Sequence, residues 1–537
     1  MCGRTLHVGV AIAGGKLPAS AFGEAMDAEH TPWFIVRCCR SAILPRTHFP
    51  LNGELRHTMG TRPSFESARS PLTVLHVPAR WRSRLAQGRR FAADFTVRSP
   101  ARLALFTFAL VIAIFTSLLS LPAASATGQH TPLHDALFTA VSAVCVTGLT
   151  VVSTATHWSF FGQLVMIIAV FVGGLGILTL ASVLSLAVSK RLGVRGKLMA
   201  QNSMNTSAAS TLGEVGSLLR IVITTSVAIE VALALMLTPR FLILGEPFTQ
   251  ALWHGIFYSV SAFNNAGFTP HSDGLVPYET DLWILVPLML GVFLGSLGFP
   301  VLMVLLAHRF NTKKWTLHAK LTLLVTGILL VSGALLWGLA EWSNPSTIGS
   351  MNTGDKVIHS MFASVMTRSG GFNLVEQNEM NQVTMLLTDA LMFAGGGSAS
   401  TAGGIKVTTI AVMFLAIFAE ARGDTDVRAF GRRIPEGTMR VAISVIVLGA
   451  TLVSIATAAL LVISGTTMER ALFESISAFA TVGLSTNLSG ELPPAGKYVL
   501  SALMFAGRIG TITLAAALTL RQRNQLYHFP EERPIIG

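Results

Sequence analysis

Residues 140–150 read AVSAVCVTGLT, and close copies of this stretch return three times: SVSAFNNAGF at 259–268, SVMTRSGGF at 364–372 and SISAFATVGL at 475–484. Each copy belongs to a similar apolar phrase: HDALFTAVSA, HGIFYSVSA, HSMFASV and ERALFESISA. Each ends in a glycine followed by a hydrophobic residue, namely Gly148-Leu149, Gly267-Phe268, Gly371-Phe372 and Gly483-Leu484; the third copy is one residue shorter. The glycines lie 119, 104 and 112 residues apart, so the repeat covers most of the chain and has to be read before any single element.

Composition sets the class. Hydrophobic residues make up 51% of the chain, charged residues only 12%, and mean hydropathy is +0.59, which is too oily for a soluble protein of 537 residues. Cys2, Cys38, Cys39 and Cys145 have no metal-ligand spacing and form no disulfide framework. The net charge of +12 falls mostly in residues 1–100, which hold 14 Lys and Arg against 6 Asp and Glu. Basic residues flanking a first membrane span account for this without nucleic acid.

The fold class expected is an all-α polytopic membrane protein. Residues 1–100 form a basic cytoplasmic extension, largely disordered, with no apolar run long enough to span and with Met59 as an alternative start. Pore repeats follow at 101–190, 215–308, 320–421 and 438–522, and 523–537 is a cytoplasmic tail. Runs of roughly 20 apolar residues cross a bilayer. They occur at 103–121 and 158–188, 217–237 and 282–307, 321–340 and 383–419, and 441–464 and 498–520. That makes eight spans with a short segment inside each pair. A dozen apolar residues also suit an interfacial or core helix; the fourfold recurrence with a glycine at the same end favours re-entrance.

Orientation follows from basic residues. Lys190, Arg191, Arg195, Lys197, Arg220, Arg309, Lys313, Lys314, Lys320, Arg422, Arg428, Arg432, Arg433 and Arg440 lie between repeats. Asp135, Glu246, Asp273, Glu279, Asp281, Glu376, Glu379 and Glu491 lie in the opposite loops. The positive-inside rule then places both termini in the cytoplasm and opens the glycine motifs outward.

Irregular backbone at membrane depth survives only where it is buried in protein or lines a watery path. Four such segments around one axis can present a ring of carbonyl oxygens, as potassium filters of the T-V-G-Y-G type do. The copies are degenerate versions of that loop: Val146-Thr147-Gly148-Leu149, Asn265-Ala266-Gly267-Phe268, Ser369-Gly370-Gly371-Phe372 and Thr481-Val482-Gly483-Leu484. One glycine alone is more simply read as a close-packing residue of a membrane helix. Four in register, each between two spans, favour the filter.

These motifs, with SAFNNAGF at 261–268, RSGGFN at 368–373 and GGGSASTAGGIK at 395–406, resemble the Trk/Ktr/HKT superfamily of potassium transporters. Over about 100–525 the likeness is greatest to the membrane subunit of bacterial Ktr systems, because the two extra N-terminal spans of Trk-type members are missing. The resemblance implies four unlike membrane–pore–membrane repeats around one potassium-channel-like pore, a homodimer in the bacterial cell membrane, and potassium as the transported ion. It further implies a regulatory ring of separate cytoplasmic chains that bind the nucleotide, with no covalently bound cofactor here. Glycine in all four filter copies points to potassium; a Trk-type or sodium-permeable transporter is the alternative.

The span at 383–419 is interrupted by Gly395, Gly396, Gly397, Ser398, Ala399, Ser400, Thr401, Ala402, Gly403 and Gly404. At roughly 1 kcal/mol per glycine this run does not hold a helix. A flexible kink and an ion-pathway break are both compatible with it, and broken helices in transporters favour the second. The resemblance implies a gate under the filter. Lys406 and Arg508 are costly in lipid and are expected to face the interior. The resemblance sets Arg508 beside the gate, against the plainer reading of a structural ion pair with Glu230, Asp389, Glu420 or Glu474. Arg368 is expected to brace the third filter loop, and His134, His254 and His359 to cap the short helices at the interface. A membrane enzyme would need a paired Asp, HExxH or a Ser with His inside the spans, and none appears.

Overall fold

The computed structural model describes residues 100–176, 214–309 and 311–520. The expectations for the basic extension, for 177–190 with its basic loop, and for the tail lie outside the described residues.

Four segments follow one another, each built as long helix, short helix, long helix. The first has α1 (Pro100–Leu119), α2 (Leu133–Val144) and α3 (Phe160–Gly174). The second has α4 (Glu214–Ile243), α5 (Phe248–Phe263) and the bent pair α6 (Leu282–Leu297) and α7 (Phe299–His308). The third has α8 (Leu317–Glu341), α9 (Thr353–Met366) and the pair α10 (Gln382–Phe393) and α11 (Val407–Arg422). The fourth has α12 (Glu436–Ser464), α13 (Met468–Ala480) and α14 (Pro494–Leu520).

Local chemistry sets the helix ends. Ser159 caps α3 by accepting from Gly162 N at 3.2 Å, and Thr316 caps α8 by accepting from Ala319 N at 3.2 Å. Proline stands immediately before α2, α5 and α12, where its fixed φ suits a helix start. Gly423 and Gly465 end α11 and α12 in the left-handed conformation.

The segments interlock in one direction. α3 packs on α5, α6 on α9, α10 on α13, and α14 returns to α2, so the second long helix of each segment lies against the short helix of the next. The four short helices are thereby held around one centre.

The surface is apolar and the interior carries charge. Val462 is 87% exposed and Leu339 72%, whereas Asp135, Glu341, Glu474, Lys497 and Arg508 are buried. A soluble protein distributes these groups the other way round; hydrocarbon around the protein accounts for the pattern. Residues 220–243, α8 and α12 are each long and apolar enough to cross a membrane. The α6–α7 pair passes the same test as one span.

One boundary differs from the sequence reading. The run 282–307, expected as a single span, breaks at Gly298, where α7 turns from α6 by 100°. Gly298 has φ +91, and a Cβ there would press on the Ser398 carbonyl oxygen at 2.5 Å. The second segment is therefore broken where the third segment's glycine run packs on it.

Candidate functional site

Each short helix ends in the same backbone sequence. Val146, Asn265, Ser369 and Thr481 have φ of 56, 61, 72 and 48°, and two residues later Gly148, Gly267, Gly371 and Gly483 have φ of 90, 72, 73 and 96°. A left-handed non-glycine residue costs roughly 1–2 kcal/mol, so each turn has to be held by its surroundings. The short helices do this. Thr147 N donates to Ser142 O and Ala266 N to Ser261 O at 2.7 Å each, Val482 N to Ser477 O at 2.9 Å, and Gly370 N to Met366 O at 2.8 Å.

Hydroxyls add a second layer in three copies. Ser142 Oγ donates to Leu149 O at 2.7 Å and accepts from Gly148 N at 3.1 Å. Ser261 Oγ donates to Phe268 O at 2.9 Å, and Ser477 Oγ accepts from Gly483 N at 3.1 Å. The shorter third copy has no serine in this place.

The four glycines close a ring. A Cβ on Gly148 would collide with Ala266 O, one on Gly267 would meet Gly370 O at 2.9 Å, one on Gly371 would meet Val482 O at 2.7 Å, and one on Gly483 would collide with Thr147 O. Each glycine thus faces the carbonyl preceding the next segment's glycine, and the fourth returns to the first. Positive φ and mutual backbone contact together leave glycine as the fitting residue at all four places. The following residues, Leu149, Phe268, Phe372 and Leu484, are buried in apolar clusters behind the turns. Backbone carbonyls gathered around one centre offer hard oxygen ligands to a cation that has shed its water.

The glycine-rich run 395–404 lies against this ring. Gly403 N approaches Ser369 Oγ at 3.4 Å, Thr401 Oγ1 donates to Phe263 O at 3.2 Å, and Ser369 Oγ donates to Thr481 O. On its other side the run is tied to the α6–α7 break: Gly397 N donates to Ser296 O at 2.7 Å, Thr401 N to Gly295 O at 3.3 Å, and Phe299 N to Ala399 O at 3.2 Å. Inside the run, Ser400 Oγ donates to Gly397 O at 2.6 Å, Ser398 shares a hydrogen bond with Thr408 at 3.0 Å, and Val407 N reaches back to Gly396 O at 3.0 Å. Gly395 and Gly404 sit where an added Cβ would press on Gly403 O and on Ala480.

Two cations hold the run through its carbonyls. Lys406 Nζ donates to Ala402 O at 2.6 Å and lies 3.5 Å from Gly403 O. Arg508 Nη1 donates to Thr401 O and Nη2 to Gly173 O at 2.9 Å, bridging α14, the run and the end of α3. None of the four carboxylates considered as partners has an ion pair with Arg508 or Lys406 among the described residues, and Asp389 is buried on α10 with its Oδ1 unpartnered. Glu230 accepts from Asn264 at 2.7 Å, Glu474 accepts from Ser485 Oγ and from Thr486 N at 3.1 Å, and Glu420 is exposed. Arg368 donates to Ala394 O at 3.3 Å, at the end of α10, and so braces the helix break.

The histidines do not act alike. His359 Nε2 lies 3.0 Å from the backbone oxygen of Glu279, whereas His254 meets Glu246 and approaches His271. Sequence reading also missed the buried Lys497–Asp135 ion pair at 2.6 Å, which ties α14 to α2 across the ring closure. It missed Gly298 too, although Gly295, Gly298 and Pro300 within an apolar run are a legible breaker signal.

Residues 96–525 match the TrkH family model, described as a cation transport protein. Ktr system potassium uptake protein B of Vibrio alginolyticus is 34% identical over 438 residues, covering 81% of this chain and 94% of that one. Ktr system potassium uptake protein D of Bacillus subtilis (strain 168) is 34% identical over 451 residues, covering 83% and 99%. The crystal structure of the potassium transporter TrkH from Vibrio parahaemolyticus superposes with a TM-score of 0.60 at 18% identity, covering 77% of this chain and 84% of that one, a likeness of fold. With four-fifths of its length matched by a transporter family, and relatives that are transporters and not enzymes, the chain belongs to the TrkH family of cation transport proteins.

Proposed function

We propose that this chain is the potassium-translocating membrane subunit of a bacterial uptake system of the Ktr kind. The observation that carries the reading is the closed ring in which each glycine faces the next segment's carbonyl. A dehydrated monovalent cation needs several oxygen ligands at once, and backbone carbonyls supply them without a fixed charge that would trap the ion. Val146, Asn265, Ser369 and Thr481, with their left-handed backbones, and the residues through Leu149, Phe268, Phe372 and Leu484 form the filter. The relatives' names as potassium uptake proteins support potassium as the cargo.

In this reading the chain crosses the bacterial cell membrane eight times with both termini in the cytoplasm. Residues 395–404 obstruct the pathway and Arg508 and Lys406 fasten them. Two copies assemble as a homodimer on a cytoplasmic ring of separate nucleotide-binding chains, whose motion releases the run. Such a release is a switch between two arrangements, since the run is either tied to the α6–α7 break or free of it.

Expression in a bacterium stripped of its own potassium uptake tests the assignment. Growth in low-potassium medium should be restored when the regulatory partner is co-expressed. Membrane insertion without restored growth would overturn it.

A further inference from the structure

A cluster of side chains of the metal-ligating kind lies beside the second glycine turn, apart from the carbonyl ring and the glycine-rich run. Glu246 is in the turn between α4 and α5, His254 is on the second turn of α5, and His271 stands three residues beyond Phe268. Glu246 Oε2 is 2.7 Å from His254 Nδ1, and Glu246 Oε1 is 3.1 Å from His271 Nε2. One ligand atom from each residue lies within 4.8 Å of the others, and the two imidazole centroids are 4.3 Å apart.

We propose that Glu246, His254 and His271 form a binding site for a transition-metal dication of the zinc class. Two imidazoles and one carboxylate, with a fourth position left open, are a recurrent zinc donor set. Bonds of about 2.0–2.2 Å place the ligand atoms of a tetrahedral zinc roughly 3.3–3.5 Å apart. The Glu246 contacts of 2.7 and 3.1 Å are shorter than that value and the whole set lies within 4.8 Å, so small side-chain shifts admit the ion. A carboxylate hydrogen-bonded to two imidazoles without metal is the competing account of the same contacts.

The surroundings favour the metal. Tyr258 OH lies 2.8 Å from His271 Nδ1, the nitrogen that does not face Glu246, and so fixes the ring as outer partners of metal-bound histidines do. Tyr278 OH is 3.2 Å from His271 Nε2, the nitrogen offered to the ion, and turns aside as the ion binds. Phe241 packs against His254, His271, Tyr258 and Tyr278, which encloses the site in apolar rings. The three side chains keep 17–20% of their surface open, enough for an ion to reach them. Imidazole with carboxylate suits zinc, copper, nickel and iron, and excludes magnesium or calcium as the natural occupant.

The site touches the filter on two sides. His271 follows the second turn directly, and Tyr258 packs on Phe372 of the third turn at 6.1 Å. A bound dication would stiffen both turns, a consequence that rests on the reading of these turns as a filter.

Calorimetry on the purified full-length chain, stripped with a chelator and titrated with zinc chloride, tests the site without any transport measurement. The wild type should bind one equivalent of zinc more than either Glu246→Gln or His271→Ala. Tyr258→Phe, which keeps the ring, should weaken that equivalent by about tenfold. Equal zinc stoichiometry and affinity in wild type and Glu246→Gln, both monodisperse, would overturn the proposal. Glu246→Gln preserves shape, so the comparison survives if His271→Ala fails to fold. Because binding is read directly, failure here leaves the potassium assignment untouched, and the reverse also holds.

Discussion

Arg508→Ala removes the bridge from α14 to the glycine-rich run. The guanidinium bonds Thr401 O in the run and Gly173 O at 2.9 Å on α3. A hydrogen bond to a charged group contributes about 1.5–3 kcal/mol, against roughly 1 kcal/mol for each neutral tether such as Gly397 N to Ser296 O. The bond to Gly173 joins two helices outside the run, so on the proposed reading the Thr401 bond is the one that distinguishes an obstructed from a released run. Its loss shifts the ratio of obstructed to released run by about 10- to 150-fold. Potassium or rubidium uptake into liposomes, measured without the cytoplasmic partner, should therefore rise at least about tenfold. Potassium should still be preferred over sodium, because the carbonyl ring is a separate element. A correctly inserted, monodisperse variant whose uptake stays within about twofold of wild type would refute the argument and leave Arg508 a purely structural residue.

Two further substitutions probe the ring and its closure. Gly483→Ser puts a side chain where φ is +96° and a Cβ collides with Thr147 O, so potassium preference over sodium should fall while the protein still inserts; competition by sodium in uptake assays reads this. Lys497→Met leaves Asp135 buried without its partner at 2.6 Å, which should cost about 3–5 kcal/mol. The thermal midpoint in detergent should drop accordingly and recover in part when Asp135→Leu is added.

The four glycine turns were legible in the sequence because repetition separates a shared backbone demand from ordinary glycine packing. The ten-residue run at 395–404 was legible for a different reason, since no helix survives so many glycines. The break at Gly298 was missed because hydropathy across 282–307 stays high in spite of the breaker signal of Gly295, Gly298 and Pro300; the contact that fixes Gly298 comes from Ser398, a hundred residues away. Arg508 was recognisable as a buried cation and its hold on the carbonyls of the glycine-rich run was expected, but its second partner, Gly173 O on α3, was not, because a backbone carbonyl carries no side-chain signature. Glu230 and Glu474 looked equally suitable by residue type and are satisfied by Asn264, Ser485 and Thr486. Sequence alone groups His254 with His134 and His359 as an interfacial cap, since Glu246 and His271 approach it only after the turns on both sides of α5 have folded.

The central claim, a potassium-selective path through the carbonyl ring, is tested most directly by ion flux through the purified chain with its cytoplasmic partner in liposomes. Potassium should move down its gradient, and replacing it by sodium at the same concentration should leave little flux. Equal rates for the two ions, or no flux of either, would contradict the account.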